Sequence, residues 1–270
     1  MKQKTTTNKG CLFQIWEIIE FLIPFLVIAV IWEIVARAGL VSPTSLPAPS
    51  AIISRFWQLA FVRTVLWSNI LASAYRMIVG YLLAVGIGIT VGAILSLNAT
   101  LRTLFEPVLS LLISVPTIAW VPVLLIIMGL GDKTVITTVF LGGFFAITYN
   151  TMRGIEMVNK NIVRAASTMG VSGVKMFFDV LLPGSLVSLV TGLRLGIGYS
   201  WRALVGGEML AAMIEFGVGK MVFQARYWND ITTMFVGIIL IGLSGYILDR
   251  LALQWLEKIT VEKWGMLARR

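Results

Sequence analysis

Apolar residues in this chain do not recur at the spacing of half-buried soluble helices. They run on for most of a helix length at a time, with the charges crowded into the gaps. A helix that is apolar all round is at home in hydrocarbon rather than in water. At roughly 20 residues per crossing, six spans are expected, at about 18–38, 70–97, 105–130, 134–152, 186–210 and 231–250. The third carries Pro107, Pro116 and Pro122. Each removes a helix hydrogen bond, so this span is expected to kink or break. The turn Gly129-Leu130-Gly131-Asp132-Lys133 separates it from the fourth. The fold class predicted is an all-α polytopic membrane protein with six transmembrane helices.

Composition supports that reading. Hydrophobic residues make up 58% of the 270, charged residues 13%, and the mean hydropathy is +0.90. Soluble domains carry roughly 25% charge. A net charge of +9 would suggest nucleic acid in a soluble protein. Here the basic residues cluster between apolar runs and serve as topology signals, and no nucleic-acid partner is expected. With both termini inside, the segments on that side hold thirteen Lys and Arg against six opposite, which predicts cytoplasmic termini. The run Phe21 to Ala36 lacks a small-residue cleavage site and is read as the first span rather than a cleaved signal. The organisation expected is a cytoplasmic segment 1–20, a transmembrane domain 21–250 and a cytoplasmic tail 251–270.

Much chemistry is excluded. There is no His, and Cys11 is the one cysteine, so no Cys/His zinc site, disulfide framework, His triad or haem ligand set can be assembled. No metal site and no catalytic residue is expected. The chain also lacks a Gly-x-x-x-x-Gly-Lys-Ser/Thr phosphate loop, so it binds no nucleotide of its own by that route.

Two connections have structure of their own. After Leu46-Pro47-Ala48-Pro49, Ser50 is expected to cap a short helix with Ile52, Ile53, Phe56, Leu59 and Ala60 at helical spacing. It is either an interfacial connector or a contact with another protein. On the other side, residues 152–185 form a loop far longer than a hairpin needs. Asn161 is expected to cap a helix with the stripe Ile162, Ala165, Ala166 and Met169, ended by Gly170 in a left-handed conformation. Ser172 starts a second helix with Val174, Phe177, Phe178 and Leu181 on one face, which Pro183 stops. Helices this short need packing, and the alanine-rich first stripe suits a protein groove better than lipid.

Here a resemblance enters. Arg164-Ala165-Ala166-Ser167-Thr168-Met169-Gly170, followed by Leu182-Pro183-Gly184, resembles the cytoplasmic EAA loop of ABC-importer permeases, with Arg164 where the pattern has Glu. Ser114-Val115-Pro116-Thr117-Ile118-Ala119-Trp120-Val121-Pro122, Gly129-Leu130-Gly131-Asp132, Thr191-Gly192-Leu193-Arg194 and Leu204-Val205-Gly206-Gly207-Glu208-Met209-Leu210 resemble the nitrate/sulfonate/taurine group of that family. The likeness covers about residues 40 to 255. It implies a homodimer of permease subunits in the bacterial plasma (inner) membrane and two ATP-binding cassette ATPase subunits that use ATP and Mg2+. It also implies an extracytoplasmic solute-binding protein, with no cofactor held by this chain. The coupling loop would then include Arg164, Ala165, Ala166, Ser167, Met169, Gly170, Leu182 and Pro183. The cargo implied is a sulfonate, taurine or nitrate-like anion. The alternatives are an uncharged heterocycle, or an ATP-independent secondary transporter.

Residues inside spans were weighed for a translocation path. Pro116, Trp120 and Pro122 sit where the third span breaks, and Arg202 and Glu208 are ionisable groups within or near the end of the fifth, where charge is costly. Arg202 is expected to look inward. It either attracts an anion or pairs with backbone carbonyls or an acid on another helix, such as Glu208 of a second copy. Glu33 and Arg37 are expected to pair as i, i+4 neighbours, and Arg76 and Arg194 to snorkel to span ends. Gly88 with Gly92, and Gly192 with Gly196, are expected to let helices approach closely.

Overall fold

The computed structural model describes residues 11–39, 41–42, 45–211 and 214–257. Lys2, Lys4, Lys9, Lys258, Lys263, Arg269 and Arg270, which count in the charge asymmetry, lie outside the described residues, as do residues 1–10 and 258–270 of the expected terminal segments. The described residues are helical, with no strand. In order they form α1 (Cys11–Arg37), α2 (Pro49–Trp57, continued by a wider turn through Val62), α3 (Val65–Leu97), α4 (Ala99–Ser114), α5 (Val121–Met128) and α6 (Asp132–Glu156). Then follow α7 (Lys160–Thr168), α8 (Gly173–Met176), α9 (Leu182–Gly184), α10 (Leu186–Leu210), α11 (Val218–Tyr227) and α12 (Ile231–Glu257).

Among the described residues, α3, α6 and the stretch Ile231–Arg250 of α12 are each long and apolar enough to cross a membrane. Two bent pairs raise the count to five if each is one span. Ala99–Ser114 and Thr117–Met128 meet at 96°, so the helix breaks where the prolines lie, the shape of a broken span or a re-entrant loop, and Gly173–Gly184 meets α10 at 70°. Pro116 starts a single tight turn, Thr117–Trp120, while Pro122 occupies the first turn of α5, where a missing N–H costs nothing.

The centre of the bundle is α6, packed between α3 and α10. Small residues set that approach. A Cβ on Gly92 would lie 2.6 Å from the Thr148 carbonyl, and one on Gly192 would lie 2.6 Å from the Asn150 Cβ. Gly88 and Gly196 both face Ile147, so each glycine pair packs its own helix on the same strip of α6. Around the strip lie buried Met77, Val135, Val139, Ile197 and Leu204. Without water to expel between helices, such close contact is what holds membrane helices together.

The connection between α1 and α3 departs from expectation. Ala48, not Ser50, precedes the first turn of α2, and it contributes no side-chain cap. Ser50 instead gives its amide (3.0 Å) and hydroxyl (2.7 Å) to the Glu33 carboxylate, which also pairs with Arg37 at 2.6 Å as expected. A carboxylate from another helix replaces the local cap and ties α2 to α1. At its other end Arg55 holds Asp230 at 2.5 Å. Burial by itself would raise the Asp230 carboxyl, but hydrogen bonds from Thr233 and the Arg55 guanidinium outweigh it and leave it below the usual carboxylate range. Asn229 ends α11 in the left-handed region, with the Asp230 amide reaching back to the Ala225 carbonyl, so the turn into α12 is locally closed.

The packing makes a paired prediction. Gly92→Leu should lower the thermal midpoint of the purified chain in detergent, by an amount corresponding to about 1–3 kcal/mol of overpacking. Gly86→Leu on the same helix, where an added Cβ meets nothing within 4 Å, should leave it unchanged.

Candidate functional site

Three places bear on function, and the first was not anticipated. Arg76, expected to snorkel, is 3% exposed, and Glu208 is 1% exposed. They meet at 2.6 Å. The Ser73 hydroxyl bonds the same carboxylate at 2.8 Å, and the Gly219 amide donates to its other oxygen at 2.9 Å. Ser73 accepts in turn from the Val218 amide, and Asn69 from the Gly217 amide at 2.8 Å. The guanidinium then continues outward to Asp132, 2.8 Å away and more than half exposed. So one arginine ties α3 to α10, to the start of α11 and to the turn that opens α6.

Sequence spacing could not assign this pairing, because each member lies on a different helix. A signal was present nonetheless. Asn69, Ser73 and Arg76 lie on one face of a span, spaced by four and three, while Glu208 has no cation three or four residues away on its own helix. Gly217 and Gly219 complete the fit, since a Cβ on Gly217 would stand 2.7 Å from the Glu208 carboxyl carbon. Glu208 is thereby consumed inside one chain and has no reach to an arginine of a second copy. It lines none of the cavities described below.

The second place is a cavity of about 420 Å³ at the break between α4 and α5. Pro116, Ser114, Phe145, Tyr199 and Arg202 are among its walls. Arg202 is exposed, lies 5.9 Å from the Tyr199 ring centroid, and has no carboxylate within ion-pair distance among the described residues. Of the expected path residues, Pro116 and Arg202 are thus brought together. Trp120, half-buried, and Pro122, exposed, lie beyond the cavity.

The third place is the long loop. Asn159 rather than Asn161 caps α7, its side chain accepting the Asn161 amide at 2.9 Å, so the helix begins two residues earlier than expected. Its end is as expected. Gly170 has φ +83°, the Gly170 amide bonds the Ser167 carbonyl and the Val171 amide bonds that of Ala166. That crossed pair closes a helix only when the residue after its last turn is left-handed. No residue of α7 is buried; Ile162 and Met169 are 57% and 82% exposed. Arg164, Ala165 and Ser167 are likewise exposed, and Ala166 is half-buried. Ser172 precedes α8 as expected, but Pro183 does not stop the second helix. It occupies the first turn of α9, where its missing N–H is tolerated, and the chain bends only at Ser185, which is buried. Leu182 and Pro183 are half-buried beneath this bend.

Comparison with known proteins gives a consistent picture. The profile of the family described as binding-protein-dependent transport system inner membrane component matches residues 84–258. The chain is 31% identical over 227 residues to the taurine transport system permease protein of Escherichia coli, covering 83% of this chain and 82% of that one. It is 30% identical over 228 residues to a Bacillus subtilis permease protein named for aliphatic sulfonates, covering 84% and 81%. In fold it is similar to an inward-facing structure of the MetNI methionine ABC transporter, with a TM-score of 0.64 and 19% identity over 74% of this chain and 98% of that one.

The buried pair is open to a double-mutant test. Arg76→Met leaves a carboxylate without its cation and should destabilise by about 3–5 kcal/mol, read as a lowered thermal midpoint. Arg76→Met with Glu208→Met should cost less than Arg76→Met alone, since no charge is then stranded.

Proposed function

Because this chain belongs to the family of binding-protein-dependent transport system inner membrane components, we propose that it crosses the membrane six times, with α1 as the first span, and carries a small anion inward as one of two identical subunits. Both termini face the cytoplasm. Two ATPase subunits dock from that side with their bound ATP and Mg2+, and an extracytoplasmic binding protein delivers the cargo outside. The observation that carries this reading is α7, an amphipathic helix closed by a left-handed glycine, whose apolar stripe is exposed among the described residues except at half-buried Ala166. A groove on an ATPase is the cover that this stripe fits, and motion of that groove would be passed through α8 and α9 to the foot of α10.

The cargo reading rests on Arg202. An unpaired guanidinium beside an aromatic ring, in a cavity at a broken span, offers two parallel donors to a sulfonate, carboxylate or nitrate-like group. Irregular backbone at membrane depth is stable only against protein or water, and a solute path supplies the water. Pro116 keeps the backbone open there. Glu208 is assigned the opposite task, holding the outer ends of α3, α10 and α11 together.

Co-expression with the cognate ATPase should yield a stoichiometric complex; recovery of an active transporter without any ATPase would instead favour a secondary carrier. Gly170→Val should abolish stimulation of ATP hydrolysis by loaded binding protein while leaving membrane insertion normal, because a β-branched residue is strained at φ +83°. Arg202→Gln should weaken uptake of an anionic cargo on the order of tenfold to a hundredfold, the loss of one charged hydrogen-bond pair, with assembly intact. Uptake of an uncharged cargo would be unaffected by it.

A further inference from the structure

Two hollows adjoin where the end of α3 meets the long loop. One is an apolar groove of about 790 Å³ between the last turns of α3, including Ala93 and Ile94, and the segment containing Val174 and Phe178. The other is a cup of about 370 Å³ with Arg102, Lys160 and Arg164 on its rim. Leu97 and Leu181 line both, so the groove and the cup lie side by side.

Charge in the cup is not balanced. Glu156 is also there, but it is shared between Arg102 at 3.6 Å and Arg153 at 2.8 Å. Lys160 and Arg164 make no ion pair among the described residues. The groove, in contrast, is walled almost wholly by carbon, and Val174 and Phe178 are 74% and 58% exposed within it. At about 100° per residue, Lys160, Val163 and Arg164 fall on one side of α7, and Ile162, Ala165, Ala166 and Met169 on the other. The basic side and the apolar stripe of this helix are therefore free to meet different things.

We propose that groove and cup together bind one anionic phospholipid, an acyl chain lying along α3 and the headgroup phosphate held by Lys160 and Arg164 with Arg102. A soluble peptide would find apolar surface here but leave the cations unanswered. A free anion would use the cations and leave the groove empty. A phospholipid of the inner leaflet satisfies both, and basic pockets beside membrane helices select anionic headgroups for this reason. Arg164 then has a role of its own, fastening the inner side of α7 to the membrane surface while the opposite face stays open. The position of α7 becomes sensitive to the lipid charge around it.

The test uses the full chain, purified in mild detergent and mixed with equal amounts of phosphatidylglycerol and phosphatidylcholine, with retained lipid counted by native mass spectrometry. The expected result is retention of phosphatidylglycerol over phosphatidylcholine by roughly tenfold. Lys160→Gln with Arg164→Gln should abolish the preference, and each single substitution should reduce it, which covers the case of a poorly folded double variant. Ala93→Trp, which fills the groove, should lower retention of both lipids. Equal retention of the two lipids by the unaltered chain, or an undiminished preference in the double variant, would overturn the proposal. So would removal of phosphatidylglycerol by inorganic phosphate alone, which would assign the cup to a free anion, or a disulfide between two copies of Val174→Cys, which would assign the groove to a second chain. The readout needs no transport and no ATPase, so it is decided separately from the importer reading.

Discussion

A carboxylate buried inside a helical bundle must be given a cation and donors at the moment the bundle closes, and the end of this structure where α6 begins is arranged around that requirement. Glu208 takes its cation from α3 and its backbone donor from the start of α11. Bringing that amide within reach forces residues 214–219 back over the helix ends, and only glycine fits at the two positions nearest the carboxylate. Arg76, with donors left over, then reaches Asp132 and settles where α6 begins. Replacing the pair with apolar residues need not cost stability. What it would lose is the single arrangement of four segments that the charges impose.

The opposite end is held differently. The strip on α6 that receives glycines from α3 and α10 runs toward Glu156, and beyond it the loop is supported by little more than α9 and its bend at Ser185. Charge is answered here by pairs at the surface, among Arg102, Arg153, Glu106 and Glu156, rather than by a buried network. One end of the central helix is thus pinned and the other carries a lightly held helix with two usable faces.

Between the two ends, the broken span provides the irregular backbone that a continuous helix cannot. Pro116 and the tight turn after it open a cavity, and Arg202 on α10 lines it without a carboxylate partner among the described residues. The contrast with Arg76 is informative. Two arginines in the same bundle differ in that one is neutralised by a carboxylate placed for it, and the other is left available.

What the sequence determined by itself is what depends on neighbours along the chain. Apolar run length placed the helices, prolines placed the break in the third span, glycine placed the end of α7, and i, i+4 spacing placed the Glu33–Arg37 pair, because each is a matter of one helix or one turn. Local caps were less secure. Ser50 and Asn161 were reasonable caps by residue type, yet Glu33 and Asn159 had better geometry, and only the packed chain could decide between rival acceptors. The partners of Arg76 and Glu208 were wholly a tertiary matter. They are separated by 132 positions, so nothing in local periodicity relates them, and a long arginine near a span end looks equally able to snorkel or to turn inward. The bundle decided it, by burying the acid where this cation is within reach.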